Sequence, residues 1–512
     1  MRDYSLVKML DLPVNLTASN AYWSLTPNRN AVAAALGAHY GGQKLKTLIF
    51  VANPRNAIAT AKNIENKMSS NSTGRFRRFH DKHKDEFLAL ENELGSIKYS
   101  YLSMANSTVV HHGNLLSIER ALSEQYFKDP DGASALVATA TLAQGINLPA
   151  EIVIIAGDDR FNTETNELES VDPHELLNAA GRAGRAGQSS QGAVIIIPSR
   201  VVSIDGKSIS SKWWELKDQV FSKSDQCLVV NDPLEVFLDD IQSEGLPLDS
   251  KKINMLLRIR SNQAGKGETE KIFSNSLGSF RASKHGKISL FREKVETLLS
   301  VREKLDGQLG HSSWQYEISL KAGIHPLVII GLSDAINKMG LSKLFSMSIA
   351  EIITWYSSWI RSSGAYVEKI FNRPNTIEII RRLSGLPKES SLKEIVNNFV
   401  RIEGLLLSYV RGDSLEAIEI RINKEAKGYL QDARVFVLKL VPELSFLFGI
   451  ISLVTKQLVD IEGLPNDALP ATLRFLSSCI KEGFDNVEIL SFKIKNPRFS
   501  RVQCHLLFNS TI

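Results

Sequence analysis

Cysteine is scarce in this 512-residue chain: three residues, Cys227, Cys479 and Cys504, far apart and odd in number. That argues against a disulfide framework and a cysteine-held zinc site, and it suits a reducing, cytoplasmic setting. No secretory leader is expected either, because MRDYSLVKMLDLP has an early Arg2 and Asp3 and no continuous apolar core, and it reads like the middle of a protein. The sequence has no internal repeat and no long low-complexity tract. Nor is there a strong charge of one sign. With 61 Lys plus Arg against 56 Asp plus Glu, the formal net charge is +5, so attraction for a polyanion must come from local basic patches.

Long apolar runs are nearly absent. Val435 to Val454 approaches the length of a membrane span, but Lys439, Pro442 and Glu443 sit near its centre, where charge in lipid is expensive. It is read as a pair of buried helices broken at Pro442, and no membrane association is expected. The most consequential absence is a phosphate-cradling loop, which needs Gly, four spacers, then Gly-Lys-Ser/Thr between a strand and a helix. Gly265-Lys266 comes nearest, but Gly267 follows the lysine and Arg260 occupies the first-glycine position. Asp85-Glu86-Phe87 lies in a charged helical stretch rather than at the end of a buried strand, so it does not supply a metal-holding acidic box. The chain is not expected to hydrolyse ATP alone; a self-sufficient ATPase would need an unrecognised loop around Lys266.

What is present is an α/β pattern. TLIFVA (Thr47 to Ala52) is an apolar run followed by turn residues and a helical pattern through Met68. Further strands are expected at STVVHHG, at ALVAT (Ala135 to Thr139), at EIVIIAG (Glu151 to Gly157) and at GAVIIIP (Gly192 to Pro198). Strands alternating with helices predict a mainly parallel sheet covered on both faces, with ligand loops at the strand ends. The polar stretch from Ser69 to Ser107 reads as a surface insertion, with a short helix at Leu88, Leu90 and Leu94. Its basic run, Arg75 to Lys84, is either a nucleic-acid patch or, more commonly for such runs, a mixed-charge surface helix.

Two glycine-marked segments carry the chemistry. TATLAQGINLP runs from Thr139 to Pro149, and AAGRAGRAG from Ala179 to Gly187 puts Arg182 and Arg185 three residues apart. They resemble motifs V and VI of superfamily-2 helicases. Phe50 to Arg55 and HHGNLLSIER (His111 to Arg120) resemble the motifs that precede them in the same order. The resemblance spans Lys46 to Ser199, and the Asn-Leu-Pro ending favours the DExH, Ski-type branch over DEAD-box proteins. It implies a second RecA-like motor lobe whose Arg182 and Arg185 meet a triphosphate bound by a first lobe; guanidinium donors are always charged and rigidly forked. Gly145, Asn147, Asn178 and Gly181 are implied on the nucleotide side, with Asn178 standing where the family usually has Gln. Thr139, Thr141, His112, Gly113 and Arg120 are implied on the nucleic-acid side, where backbone phosphate contacts carry no sequence information.

Beyond Ser199 the pattern becomes mostly helical. Trp314, Trp355, Trp359 and Phe371 read as core fillers, and the basic C-terminal segment with Lys493, Lys495, Arg498 and Arg501 reads as a strand-contacting patch or a packed terminal element. The expected organisation is an inter-lobe linker or remnant (1–45), a second RecA-like lobe (46–200), a connecting or winged-helix-like domain (201–310) and a helical domain (311–512). The resemblance implies a DNA or RNA helicase using ATP and Mg2+ bound mainly through a first lobe supplied in cis or in trans. The alternative is a non-catalytic nucleic-acid-binding or adaptor protein built on a degenerate lobe.

Overall fold

A computed structural model describes residues 9, 17–18, 25–26, 28–68, 73–139, 148, 150–157, 159–162, 167–170, 178–184, 192–199, 233–244, 256, 271–309, 314–363, 367–371, 374–465 and 467–511. The chain forms two compact units: Met1–Leu228 with Lys427–Arg434, and Val229–Ala426 with Val435–Ile512.

In the first unit, β1 (Thr17–Ala18) and β2 (Leu25–Thr26) make a short antiparallel pair ahead of α1 (Arg29–Gly42). There follow β3 (Thr47–Val51), α2 (Pro54–Met68), α3 (Thr73–Lys82), α4 (Lys84–Leu94), β4 (Thr108–His111), α5 (Ser117–Lys128), β5 (Ala135–Thr139) and β6 (Ile152–Ala156). The hairpin β7 (Asp159–Asn162) and β8 (Glu167–Ser170) precedes β9 (Ala193–Ile197). Five strands pair in the order β4-β5-β3-β6-β9, every pair parallel. The three central strands are buried at every position, which is why they read as unbroken apolar runs rather than alternating ones.

The core lies between the sheet and the helices. Ala33, Ala34 and Leu36 of α1 and Ala57, Ala61 and Ile64 of α2 pack on Ile49, Val51, Val137 and Ile154. Small residues let α1 lie close: a Cβ on Gly37 would sit 2.5 Å from Ile49 Cδ1. The stretch after α2 corrects the surface-insertion expectation. It holds two helices, whose Phe79, Phe87, Leu90 and Leu94 are buried. Phe76 and Phe79 pack on Tyr126 of α5, with ring centroids at 5.4 and 4.7 Å, while Arg77, Arg78 and Lys82 face solvent.

Every element among the second unit's described residues is a helix. Pro233–Glu244, Leu277–Lys284 and Ile288–Leu309 belong to one section, whose core includes Phe237, Leu238, Ile241, Phe291 and Leu298. Farther on, Tyr356 stacks on Trp359 at 5.4 Å and meets Phe448 edge-on at 5.1 Å. Phe371 is buried as expected, whereas Trp355 is half-buried and lines an open cleft of about 410 Å3 with Met339, Lys343, Met347, Leu407 and Arg411.

Helix Gln431–Ile461 corrects the expectation of two helices broken at Pro442. A π-helical turn, Phe436–Leu440, comes just before the proline, and the Val441 N–H reaches back to the Phe436 carbonyl. Proline has no N–H and crowds the carbonyl one turn back; the wider π turn absorbs both effects, so the helix continues. By length and hydropathy this helix could cross a membrane, yet half of its most apolar window is buried within the protein. At the C-terminus, Arg501 donates to the carbonyls of Tyr409 and Asp413, both at 2.6 Å, and Lys493 donates to the Pro497 carbonyl at 3.0 Å, as a packed terminal element would.

Candidate nucleotide and nucleic-acid site

All five strands run the same way, so their ends define two edges. At the carboxyl edge, β5 ends at Thr139, opposite Val51 of β3, and neighbouring β4 ends at His111. Thr139 is 7% exposed. His112 follows β4 and turns inward: its ring is 1% exposed and meets Tyr101 edge-on at 4.7 Å. His112 Nδ1 accepts the Asn114 N–H at 3.3 Å. Burial, helped by the charges of Arg434 and Arg120, pushes the His112 pKa down to about 3, so the ring is neutral and shapes the loop from beneath. Gly113 is the exposed residue of this loop, and a Cβ there would meet nothing within 4 Å. His111 pairs instead with Glu124 through Nε2 at 3.0 Å. Arg120 lies half-buried in the first turn of α5, and its Nε has no hydrogen-bond partner.

The arginine-bearing segment lies at the other edge. Asn178 to Ala180 form a helical turn, with Asn178 exposed and Ala179 buried, and Gly181 is exposed at its end. Arg182 is half-buried, and its carbonyl accepts the Ala150 N–H at 3.3 Å, while the Gly184 N–H donates to the Ala150 carbonyl at 3.0 Å. Ala150 precedes the start of β6, so this backbone is stitched to the amino ends of the strands. Gly192 permits the close approach: a Cβ there would lie 2.3 Å from the Gly184 nitrogen. The expectation that all ligand loops gather at the carboxyl ends therefore applies to Thr139, His112 and Gly113 but not to Asn178, Gly181 and Arg182. Thr141, Gly145, Asn147 and Arg185 lie outside the described residues.

Sequence reasoning missed Glu119 and Arg434. Glu119 is fully buried, one residue before the noticed Arg120, and accepts from Ser100 Oγ at 3.0 Å, Tyr101 N–H at 3.2 Å and Leu116 N–H at 3.0 Å. Its remaining partner is the guanidinium of Arg434, 1% exposed, which donates through Nη2 to Oε1 at 2.9 Å and through Nη1 to Oε2. A glutamate inside the noticed segment HHGNLLSIER was a visible signal; a partner 315 residues away was not.

Residues 82–187 match the helicase conserved C-terminal domain. The chain is 32% identical over 168 residues to a DExH-box ATP-dependent RNA helicase, DExH13, of Arabidopsis thaliana, covering 32% of this chain and 7% of that protein. It is 31% identical over 150 residues to the RQC trigger complex helicase SLH1 of Saccharomyces cerevisiae, covering 29% of this chain and 7% of that one. Against the pre-mRNA-splicing factor brr2 of Schizosaccharomyces pombe it is 27% identical over 215 residues, covering 42% and 10%. The matched part thus spans a tenth or less of these relatives' own length.

Proposed function

We propose, from the premise that this chain carries the conserved C-terminal domain of a DExH-type superfamily-2 helicase, that its sheet-bearing unit works as the second motor lobe of an ATP-driven RNA helicase. The observation that carries this reading is the separation of the candidate residues by ligand. Those assigned to nucleic acid (His112, Gly113, Thr139) lie at the carboxyl edge, and those assigned to nucleotide (Asn178, Gly181, Arg182) at the amino edge. In sequence only ten residues separate Thr139, at one edge, from Ala150, at the other. The relatives named as RNA helicases favour RNA over DNA.

Asn178 and Arg182 offer an amide and a guanidinium beside the exposed backbone of Gly181, a donor set that fits phosphate oxygens. They lack the carboxylates that magnesium prefers, so the metal and most of the ATP contacts belong to a first RecA-like lobe, in cis or in trans. ATP bound there supplies the phosphoryl group whose charge Arg182 and Arg185 stabilise, while the loop His112–Leu116 and Thr139 hold the sugar-phosphate backbone. The linker, lobe, connecting and helical divisions at 45, 200 and 310 belong to the same proposal, as do a cytoplasmic setting and the inactivity of the chain without a first lobe.

The test pairs the chain with a first lobe and measures RNA-stimulated ATP hydrolysis. Arg182→Ala should lower the rate by about a thousandfold, the scale of a lost arginine finger, with oligonucleotide affinity unchanged. An unaltered rate removes the motor assignment. Strand binding without ATPase activity under any pairing would favour the non-catalytic adaptor, a reading suggested by the absence of a phosphate loop from the sequence.

A further inference from the structure

We propose that the segment Lys427–Arg434 is an internal brace for the loop His112–Leu116, and that Arg434 is a positioning residue for strand binding that itself touches no strand. The strand-binding part rests on the function proposed above; the brace does not.

The segment belongs to the sheet-bearing unit although it lies far along the chain from that unit's last strand. Arg434 uses each of its three nitrogens. Nε donates to the Tyr429 carbonyl at 2.6 Å, Nη1 to the Asn114 carbonyl at 3.2 Å and to Glu119, and Nη2 to the Tyr99 carbonyl at 3.2 Å and to Glu119. Its guanidinium lies 4.8 Å from the centre of the Tyr101 ring. Tyr101 stacks on Tyr429 at 4.3 Å and meets His112 edge-on.

A buried ion pair is a weak source of stability, so an arginine kept dry at this position needs another explanation. Here the planar fork joins carbonyls from three separate places, which a lysine ammonium cannot match in geometry. One of them is Asn114, whose N–H is held by His112. The exposed Gly113 is thus pinned on both sides, by the His112 ring against Tyr101 and by the Asn114 carbonyl against Arg434. The brace fixes the backbone of the one loop residue that faces outward beside Thr139.

The experiment compares the full chain with Arg434→Lys and Tyr429→Ala. It follows amide hydrogen exchange at residues 112–116, with β3, β5 and β6 as internal reference, and the affinity for a fluorescein-labelled single-stranded oligouridine. Arg434→Lys should raise exchange in the loop about tenfold over the reference and weaken oligonucleotide binding by a similar factor, the scale of lost charge-assisted hydrogen bonds. Tyr429→Ala keeps the Arg434–Glu119 pair and should move both readouts the same way by less; it stands in if Arg434→Lys fails to fold. Unchanged loop exchange overturns the brace. Raised exchange with unchanged affinity overturns Arg434 as a positioning residue for strand binding. A wild-type chain that binds no oligonucleotide overturns the function proposed above, while loop exchange still decides the brace.

Discussion

Glu119 and His112 illustrate how one buried cluster sets both stability and pH response. Replacing one member of a dry ion pair leaves the other charge uncompensated, so Glu119→Gln should destabilise the sheet-bearing unit by about 3–5 kcal/mol, and a Glu119→Gln, Arg434→Met double replacement by less; denaturant titration in a double-mutant cycle reads the difference. His112 is held at about 3, below its ordinary 6.5, so between these values the unfolded chain binds a proton that the folded chain refuses. The neutral ring's contribution is complete above pH 6.5 and is lost as the pH falls toward 3, reaching a loss of about 2 kcal/mol at pH 5. Denaturation midpoints at pH 7 and pH 5 should therefore differ less in His112→Asn than in the wild type. The motif resemblance picked out His112, Gly113, Arg120 and Arg182 because each stands in a short local pattern. Glu119 and Arg434 escaped because their meaning lies in a pairing that no local pattern encodes.

At the scale of elements, the strands were legible because a parallel strand buried on both faces must be apolar throughout, as TLIFV, ALVAT and IVIIA are. Helices α3 and α4 were expected, as a mixed-charge helix over Arg75 to Lys84 and a short helix at Leu88 to Leu94, but their buried side escaped: Phe76, Phe79 and Phe87 line it, and the dense surface charge between them hides the stripe. The π turn before Pro442 depends on how neighbouring helices hold the chain, and sequence alone favoured a break. The α5–β5 connection offers a sharper test. Ala133 N–H donates to the Tyr126 carbonyl at 3.0 Å, and a Cβ on Gly132 would lie 1.9 Å from that same oxygen. Because a backbone carbonyl inside a helix end cannot swing aside, Gly132→Ala should cost about 1–3 kcal/mol in chemical denaturation.

Across the whole molecule, two compact units and a sheet-bearing unit that draws on a distant segment imply unfolding that departs from a single two-state transition. Calorimetric and van't Hoff enthalpies should disagree for the full chain. The expected boundaries of the lobe came from the span of the motif resemblance, and those beyond it from shifts of pattern along the chain. Such shifts could not reveal that Lys427–Arg434 returns to the first unit, since the segment is short and polar. A lobe expressed as residues 1–228 alone would keep Glu119 buried without its cation, and should melt well below the same lobe supplied with a peptide spanning 427–434.

That return of the chain also sets a timetable for synthesis. The sheet strands leave the ribosome early, but the counter-ion of Glu119 follows more than two hundred residues later, on the order of ten to fifty seconds at ordinary elongation rates. Through that interval the nascent lobe holds an unmatched carboxylate under α5, a window in which chaperone engagement or pausing during translation would decide how much of the protein matures.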